Sequence, residues 1–453
     1  VFHNICLYYS IKKFLSKKKI NVLFVENKFL KKNIEIFYKG EIKIKNTEKI
    51  SKISILRVLL KNFLIFFLSK LFSINKKINK EINLVDIFIT SNNLSNDRYY
   101  KNFFLDKKLF YHVPTFVDLS LRKVASCLIH FNKRNYILKS QFLTFKDILY
   151  SIYFTFRVDK IKIKETFFKK LNIKDLILRE LYLRRNLDAS IIGIQNYLFA
   201  KNLKNKNIKL KSVLNWHENS AVDKGWNYGF RSFYKNVNTY GYQGYFVEKK
   251  LSSIDITNNE FKAKTCPEYL LITGLILKKS RSEFVKKIKF IQSRAFRFEH
   301  LLSKEFYKKK NNNRIIILLN LDKETCIEII EKIKRTKFAR GDNTVFIKEH
   351  PLLKLKQFYH QTLPKNFKVI NGNFYDVVKK FKVIITSGSS SSVYESLLSG
   401  CKVIFPINDY YDKLNLEMLD VPKSYYKVCN NVKELDNFIN KFLGQNIKYF
   451  QYY

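Results

Sequence analysis

The chain has 453 residues, 46% of them hydrophobic, which is enough for two or three domains with sizeable cores and argues against global disorder. Its formal net charge of +47 indicates attraction to a polyanion, such as anionic lipid, nucleic acid or a charged sugar nucleotide. Lysines occur in almost every block of ten residues, so much of this charge is background composition. No zinc-finger spacing or aromatic RNA-binding strand accompanies the charge, and we expect no nucleic-acid partner.

The six cysteines lie far apart and form no CxxC pair, a pattern typical of buried thiols in a reducing cytoplasm. The chain starts at Val1 rather than at Met, and residues 5–15 read as a helix. We therefore expect that the true N-terminus, including a first strand, is missing.

Residues 20–25 and 42–46 are strand candidates, and residues 55–74 are the most apolar stretch of the chain. Arg57, Lys61 and Lys70 interrupt that stretch, which argues against a transmembrane span. Its leucines and phenylalanines fall at helical spacing. Two interpretations stay open, a buried core helix and a basic amphipathic helix that lies on a membrane surface.

The next elements are predicted from apolar runs and their boundaries. Residues 85–90 predict a strand that ends in a loop at residues 91–93, and residues 112–115 (HVPT) predict a turn before a helix over 117–129. Residues 145–203 are mostly helical in pattern. Residues 211–215 predict a strand that leads directly into the first candidate site.

That candidate site is residues 216–244, which hold both tryptophans and four of the twelve glycines. A loop just past the carboxyl end of a strand is where ligands bind in open α/β sheets. We predict an acceptor pocket here, lined by Trp216, Arg231 and Gln243. The alternative is that the tryptophans are core aromatics and that Glu218 only caps a helix.

The same stretch gathers the titratable groups His217, Glu218 and Asp223. A carboxylate beside Trp216 would be partly desolvated and thereby a better proton acceptor. We predict Glu218 as the catalytic base. His217 is the second candidate, because imidazole titrates near neutral pH, and Asp223 is the third.

Residues 265–274 predict a strand that closes a first domain over residues 1–275, followed by a basic helical linker over 276–310. A second domain over 311–432 then alternates strands at 314–320, 344–348 and 367–370 with helices at 324–333 and 375–380. Residues 433–453 form a closing helix and tail. This alternation predicts an α/β fold with two Rossmann-like domains that face each other across a cleft.

Residues 383–406 form a strand–turn–helix–strand unit. The apolar run 383–385 ends at Ser387 and Gly388, four serines follow from Ser389, and Gly400 ends the helix that they begin. A helix N-terminus that follows a strand is a natural anion site, and serine hydroxyls add donors to it. The alternative is a capped structural unit with no ligand.

His350 and Pro351 directly follow a predicted strand of the same sheet. Because Pro351 stops the strand, His350 lies at its carboxyl end, where an imidazole can donate to a phosphate oxygen.

KEHP at residues 348–351 and TSGSSSSVYESLLSG at residues 386–400 resemble the C-terminal half of GT-B glycosyltransferases. They are most similar to the bacterial surface-polysaccharide group with HP and serine motifs, which includes polysialyltransferase-like, Kdo-transferase-like and polyglycerolphosphate-synthase-like enzymes. WHENSAVDKGWNYGFR at 216–231, with GYQG at 241–244, resembles bacterial surface carbohydrate biosynthesis proteins. The likenesses span about residues 314–406 and 215–274, and the first 200 residues match no motif.

The resemblance implies a nucleotide-sugar donor on the C-terminal domain, a glycan or lipid-linked acceptor on the N-terminal domain, and a base from the latter. The donor would be a substrate, and no cofactor is expected. Glu395 would bond the nucleotide ribose, but relatives that use CMP or CDP often lack an acid there, so the nucleotide stays open. The donor-binding residues that the resemblance implies are His350, Pro351, Ser387, Gly388, Ser389, Ser390, Ser391 and Glu395.

No DxD-type metal cluster follows a suitable strand, so we predict a metal-independent transferase in capsule or lipopolysaccharide synthesis. We expect it in the cytoplasm, bound peripherally to the inner face of the membrane, where such acceptors are lipid-linked. A nucleotide-sugar epimerase of the same fold is an alternative. A non-catalytic basic protein that binds membrane or nucleic acid is an alternative from another class.

Overall fold

The computed structural model describes residues 2–17, 20–25, 28–44, 52–73, 81–89, 99–100, 109–117, 119–131, 135–184, 188–245, 254–302, 313–372, 374–387, 392–406 and 421–445. In these residues the core is built on two six-stranded sheets, in which every pair of neighbouring strands is parallel. The predicted α/β fold with two Rossmann-like domains is confirmed.

The described strands are β1 (Val22–Val25), β2 (Glu41–Ile44), β3 (Ile82–Ile89), β4 (Phe110–Phe116), β5 (Phe167–Phe168), β6 (Leu171–Asn172), β7 (Leu210–Trp216), β8 (Asn238–Gln243), β9 (Tyr269–Ile272), β10 (Lys289–Gln292), β11 (Ile315–Leu318), β12 (Val345–Lys348), β13 (Phe367–Val369), β14 (Val383–Thr386), β15 (Lys402–Pro406) and β16 (Tyr426–Cys429). The described α-helices are α1 (Phe2–Leu15), α2 (Lys28–Ile34), α3 (Lys52–Leu71), α4 (Leu121–Phe131), α5 (Phe145–Ile152), α6 (Phe154–Arg157), α7 (Lys174–Arg184), α8 (Asp188–Asn205), α9 (Ala221–Phe233), α10 (Asn258–Lys262), α11 (Ile276–Arg281), α12 (Lys323–Lys334), α13 (Lys337–Arg340), α14 (Phe374–Val378), α15 (Ser392–Leu398) and α16 (Val432–Gly444). Short 3₁₀ helices cover Lys139–Gln141, Val158–Lys160, Phe296–Leu302 and Leu355–Gln357.

The first strands form a small unit outside the two large sheets. The two predicted strand candidates are β1 and β2, which pair in parallel, and β5 and β6 pair as a short antiparallel ribbon. Ile5 of α1, Leu30 of α2 and Leu176 of α7 pack in one buried cluster, so the first and later parts of the N-terminal region share a core.

The N-terminal sheet has the strand order β10-β9-β8-β7-β3-β4. The chain lays β4 on one side of β3 and then returns to place β7 on the other side. The connection after β3 therefore leads to β4 on one side of the sheet, and the connection after its neighbour β7 leads to β8 on the other side. Such a switch point opens a crevice at the carboxyl ends of the two strands, and in open α/β sheets this is where ligands bind.

The turn predicted at residues 112–115 is wrong, because these residues lie within β4. This strand is at the edge of the sheet. The N–H of His112 points outward, to the carbonyl of Asn135 at 2.9 Å, and the nitrogen of Pro114, two residues on, faces the same outer side. Proline therefore removes no bond to β3, which is why an edge strand accepts it.

The helix predicted through residues 277–310 is also partly wrong. Residues 289–292 form β10, which pairs with β9 at the edge of the N-terminal sheet. Only α11 and the 3₁₀ helix Phe296–Leu302 are helical in the described part of this stretch.

The C-terminal sheet has the order β13-β12-β11-β14-β15-β16, with a switch point between β11 and β14. Every residue of β11, β14 and β15 is buried, as continuous apolar runs predict for central parallel strands. Separate apolar clusters cover the two faces of this sheet. β16 at its edge was not predicted.

Five of the six cysteines are buried free thiols, as predicted, and Cys6 is exposed. None of the helices in the described residues is long and apolar enough to cross a membrane.

Candidate functional site

The predicted donor side lies at the switch point of the C-terminal sheet. Asn320 follows β11 and Ser387 follows β14, and both are buried. The amide of Asn320 donates to the Ser387 hydroxyl at 2.6 Å and joins the carboxyl ends of the two strands. Gly388, Ser389, Ser390 and Ser391 lie outside the described residues, so the serine loop stays a prediction.

His350 lies just past the end of β12, half-buried, and Pro351 beside it is exposed. The backbone N–H of Leu352 donates to His350 Nδ1 at 3.2 Å. A neutral imidazole that accepts on Nδ1 carries its proton on Nε2.

Glu395 is on α15 and is buried, at 5% exposure. Its Oε1 accepts a hydrogen bond from the Tyr375 hydroxyl at 3.1 Å and lies 3.6 Å from Arg297 Nη2. The carboxylate predicted to bond a ribose is therefore already held by a tyrosine and an arginine. The sequence offered no sign of Arg297, which lies in the stretch interpreted as linker.

The segment from Arg294 to Phe298 connects the carboxyl edge of the N-terminal sheet with α15. Phe296 packs against Tyr242, with ring centroids 5.4 Å apart, and the Tyr242 hydroxyl donates to the Arg294 carbonyl at 3.0 Å. On the other side, Phe298 packs with Leu398 of α15. The segment thus places the end of β8 near the helix that carries Glu395.

Trp216 ends β7 and is buried among aromatic rings, with the centroid of Tyr99 at 4.3 Å and that of Tyr245 at 5.4 Å. Its indole Nε1–H donates to Glu218 Oε1 at 2.7 Å. Trp216 is therefore a core aromatic, as the alternative interpretation held, but its one polar atom positions the predicted base.

Glu218 itself is exposed, so the expected desolvation of its carboxylate is wrong. The side chain stands just past β7, at the switch point of the N-terminal sheet, and is accessible to an acceptor. Its backbone N–H donates to Asp223 Oδ2 at 2.9 Å, which holds this loop against the start of α9.

Asp223 is fully enclosed and caps α9. Its Oδ2 accepts the N–H of Ser220 at 2.9 Å as well as that of Glu218, and the Ser220 hydroxyl accepts the Asp223 N–H in return. Burial raises the pKa of Asp223 to about 7, although the two backbone N–H groups oppose the shift. Its carboxylate is engaged by the loop rather than presented to a ligand.

His217 is buried, and neither ring nitrogen has a hydrogen-bond partner among the described residues. Burial lowers its pKa to about 3, so the imidazole is neutral and a weak base at neutral pH. Gly241 of β8 makes room for it, because a Cβ there would lie 3.0 Å from His217 Cβ and 2.6 Å from Pro267 Cγ.

Gln243 ends β8 and is buried, and its Nε2 has no partner among the described residues. The hydroxyl of Thr273, just past β9, is likewise buried without a described partner. With His217 after β7, three neighbouring strands therefore bring unpaired polar groups to one edge of the sheet. Most buried polar groups are paired, so these three are candidates to bind a ligand or water.

Arg231 is not part of this edge, and its assignment to the acceptor pocket is wrong. It lies near the far end of α9, where Nη1 donates to the carbonyls of Cys266 at 2.9 Å and Phe261 at 3.3 Å. These groups precede β9, at the amino edge of the sheet. Arg231 ties α9 to the loop before that strand.

A buried cluster of three polar side chains beside β3 and β4 was not predicted. Lys139 Nζ donates to Thr115 Oγ1 at 2.7 Å, and that hydroxyl donates to Asp86 Oδ1 at 3.1 Å. Burial raises the pKa of Asp86 to about 6 and lowers that of Lys139 to about 8, while their mutual attraction opposes both shifts. Lys139 and Thr115 line a cavity of about 70 Å³.

In the described ranges no group of three or more His, Cys, Asp or Glu side chains is arranged to hold a metal ion.

No protein-family model and no curated protein matches the sequence. Among solved structures, the chain is similar to the glycosyltransferase SnogD from Streptomyces nogalater (10% identity, 81% of this chain and 96% of that one, TM-score 0.41). It is also similar to a UDP-GlcNAc 2-epimerase from Neisseria meningitidis bound to UDP-GlcNAc (12%, 81% and 95%, TM-score 0.45) and to the wall teichoic acid polymerase TagF (13%, 87% and 90%, TM-score 0.39). At these TM-scores the likeness assigns no activity.

Proposed function

We propose that this protein is a glycosyltransferase that moves a sugar, or a glycosyl-phosphate-type group, from a nucleotide-activated donor to an acceptor hydroxyl. The supporting observation is that polar side chains stand at the switch points of both parallel sheets. Glu218 follows β7 in one sheet, and Asn320 and Ser387 follow β11 and β14 in the other. The segment from Arg294 to Phe298 connects these two regions.

On the donor side, His350 Nε2 and the hydroxyls of Ser387, Ser389, Ser390 and Ser391 would meet the phosphate oxygens. Arg297 and Tyr375 would hold Glu395 in one orientation for a ribose hydroxyl. Since Arg297 belongs to the connecting segment, donor binding would depend on the position of that segment relative to Glu395.

On the acceptor side, Glu218 would take the proton of the acceptor hydroxyl. The oxygen would then form its bond to the activated carbon as the bond from that carbon to the phosphate oxygen breaks, and the electron pair would leave with the nucleotide. Trp216 fixes the carboxylate that acts as base. His350 and the serine hydroxyls would stabilise the departing phosphate, so we propose a step without a metal ion.

The exposed position of Glu218 favours it over the other two candidate bases. His217 is neutral and buried, and Asp223 is engaged in the helix cap. Buried Gln243 and His217 would then act as hydrogen-bonding groups for the acceptor, rather than as proton acceptors. We propose a glycan or lipid-linked acceptor of cell-surface polysaccharide synthesis, used at the cytoplasmic face of the membrane.

The test has two stages, beginning with calorimetric titration of CMP, CDP, UDP, GDP and their sugars. His350→Ala and Ser390→Ala should each weaken binding of the preferred nucleotide by about tenfold or more, as expected for a hydrogen bond to a charged group. The matched control is His360→Ala, since His360 is exposed and remote from β12 in sequence. Unchanged affinity in both variants would remove the phosphate-site assignment.

The second stage separates transfer from epimerisation. The preferred nucleotide sugar is incubated with and without an oligosaccharide or lipid-linked acceptor, and products are followed by mass spectrometry and proton NMR. A glycosyltransferase should release nucleotide as the acceptor gains mass. A new sugar epimer formed without acceptor would instead establish the epimerase alternative.

A further inference from the structure

The helix α3 carries apolar residues on its outer face as well as on the face that packs into the protein. Leu56, Leu60, Phe67 and Leu71 lie at spacings of four, seven and four residues, so they share one face, and Leu56 and Leu71 are 67% and 80% exposed. On the opposite side Asn62 and Ser69 are buried. Phe66 is buried on the inner side too, and Ile65 and Leu68 pack against the core there. A surface helix normally has polar residues on its outer face. The apolar outer face of α3 therefore indicates that it meets an apolar environment.

Helices α5 and α6 extend the same surface. Phe145, Leu149, Tyr153 and Phe156 recur at helical spacing, and all four are exposed. The ring of Phe145 lies 6.3 Å from that of Phe67, which joins the two sets of side chains. The apolar face is defined by Leu56, Leu60, Phe67, Leu71, Phe145, Leu149, Tyr153 and Phe156. Contiguous exposed apolar surface of this kind marks an interaction site.

Positive charge surrounds the apolar face. The twenty residues of α3 include four basic and no acidic side chains. Arg57 is exposed beside the stripe, whereas Lys70 Nζ donates to the carbonyl of Ser140 at 3.0 Å. On the other helices Lys146 is exposed, and the Arg157 guanidinium stacks on Tyr150 at 3.6 Å.

Two carboxylates lie beside this rim. Asp188 is paired with Lys61 at 2.7 Å. Asp147 accepts the hydroxyl and N–H of Thr144, both at 2.7 Å, and keeps its charge because these donors are neutral, but Arg57, Lys146 and Arg157 outnumber it. The rim of the apolar face therefore presents a net positive charge.

We propose that the apolar face docks the protein on the surface of a bilayer that contains anionic lipids, with α3 lying in the interface. Apolar side chains would enter the boundary between headgroups and acyl chains, while Arg57 and Lys146 contact lipid phosphates. A second copy of the chain fits less well, since two molecules of charge +47 repel each other. The inference is independent of the proposed reaction, because vesicle binding is measured without donor or acceptor.

The experiment is co-sedimentation of the full chain with vesicles of phosphatidylcholine alone or with added phosphatidylglycerol. The wild type should bind the anionic vesicles, and binding should weaken as salt rises from 0.05 to 0.5 M. The double variant Leu60→Gln/Leu71→Gln should lower the affinity for anionic vesicles at least about tenfold, because two exposed leucines no longer enter the lipid. Arg57→Gln/Lys146→Gln should lower it only for anionic vesicles.

Ile36→Gln is the matched control, since Ile36 is 79% exposed on the chain after α2, away from the apolar face. Circular dichroism checks that each variant is folded. Equal binding of wild type and Leu60→Gln/Leu71→Gln, or no preference for anionic over neutral vesicles, overturns the proposal. So does a dimer in sedimentation velocity that this double variant abolishes, because the second copy would then cover the face.

Discussion

Glu218 reaches solvent, whereas His217 and Asn219 on either side of it are buried. The difference arises because β7 ends at Trp216 and the chain turns there into the cap of α9. The backbone of Glu218 is tied to Asp223 and its carboxylate to the Trp216 indole. A single exposed carboxylate is thus held in one place by two buried side chains.

Glu218→Gln should lower turnover by about 10²–10⁴-fold and leave nucleotide affinity unchanged. Glutamine can still accept the bond from Trp216 Nε1 but cannot take a proton, so the loop should keep its conformation. Initial rates and calorimetry measure the two effects, with the exposed Glu283→Gln as the control. Near-normal turnover would move the base to His217 or Asp223, and near-normal turnover in variants of all three would remove the catalytic role of this stretch.

Asp223 predicts a pH dependence of stability. Its pKa is about 7 in the folded protein, against 3.8 for an unperturbed aspartate, so the folded state holds the proton more tightly than the unfolded state. The resulting stabilisation is full below the unfolded pKa and is lost as pH rises through the folded pKa. Relative to Asp223→Asn, the wild type should therefore lose stability between pH 4 and pH 8.

Urea unfolding of both proteins at several pH values checks this dependence, because other titrating groups cancel in the difference. Asparagine can accept the two backbone N–H groups through its one oxygen. Asn215 Nδ2 donates to Asp223 Oδ1 at 3.4 Å in the wild type, so the Asn215 amide has to turn its oxygen toward the new amide group in the variant. A difference that stays constant or grows in favour of the wild type with rising pH would contradict the raised pKa.

At the scale of elements, α8 and α9 approach so closely that glycines are required where they meet. A Cβ on Gly225 of α9 would lie 1.9 Å from the carbonyl oxygen of Gly193 in α8, and a Cβ on Gly193 would lie 2.4 Å from that of Ala221. The contact is at the first turns of α9, next to the cap formed by Ser220 and Asp223. Packing of α8 therefore helps to place the loop that carries Glu218.

Gly225→Ala should lower the free energy of unfolding by about 1–3 kcal/mol, because backbone atoms have to move apart. The intrinsic helix preference of alanine opposes this loss by about 1 kcal/mol at most. Gly444→Ala in α16 is the control, since nothing lies within 4 Å of a Cβ there. Equal stability of both variants in urea would show that the two helices can separate without cost.

At the scale of the whole molecule, the chain contains 85 basic and 38 acidic residues. The ion pairs of the described residues are mostly partly exposed, such as Lys31–Glu35 and Lys32–Asp175, and such pairs stabilise little. Repulsion among the unpaired cations acts over longer distances and opposes the compact state.

The thermal midpoint should therefore rise as NaCl increases from 0.02 to 0.3 M, because salt screens charges more than about 10 Å apart. Differential scanning calorimetry measures the change, and an uncharged osmolyte series controls for solute effects. A midpoint that falls with salt would mean that local ion pairs outweigh the repulsion.

The central strands of the C-terminal sheet could be predicted from the sequence, because their signal is local. Ile315–Leu318 and Val383–Thr386 are short apolar runs bounded by polar residues, and each is buried as a central parallel strand. The carboxyl ends of such strands can also be predicted, which is why His350, Ser387 and Glu218 were correctly placed just past the ends of strands. In the N-terminal sheet the central strand β8 was missed, because NTYGYQ has no continuous apolar run. β4 was missed because Pro114 argues against a strand until its edge position is known.

The sequence by itself determined the apolar strands β3, β7, β9 and β11 to β15 and the polar residues that follow several of them, since each depends on neighbours a few positions away. The strands β4, β8, β10 and β16 became known only from the structure. Only the tertiary structure decided which way those side chains point and what they meet. It placed Arg231 at the amino edge of its sheet, buried Asp223 in a helix cap, and paired Glu395 with Arg297 from a distant segment. It also turned the apolar stripe of α3 outward. Burial and long-range pairing depend on chain segments far apart in sequence, so no local pattern could reveal them.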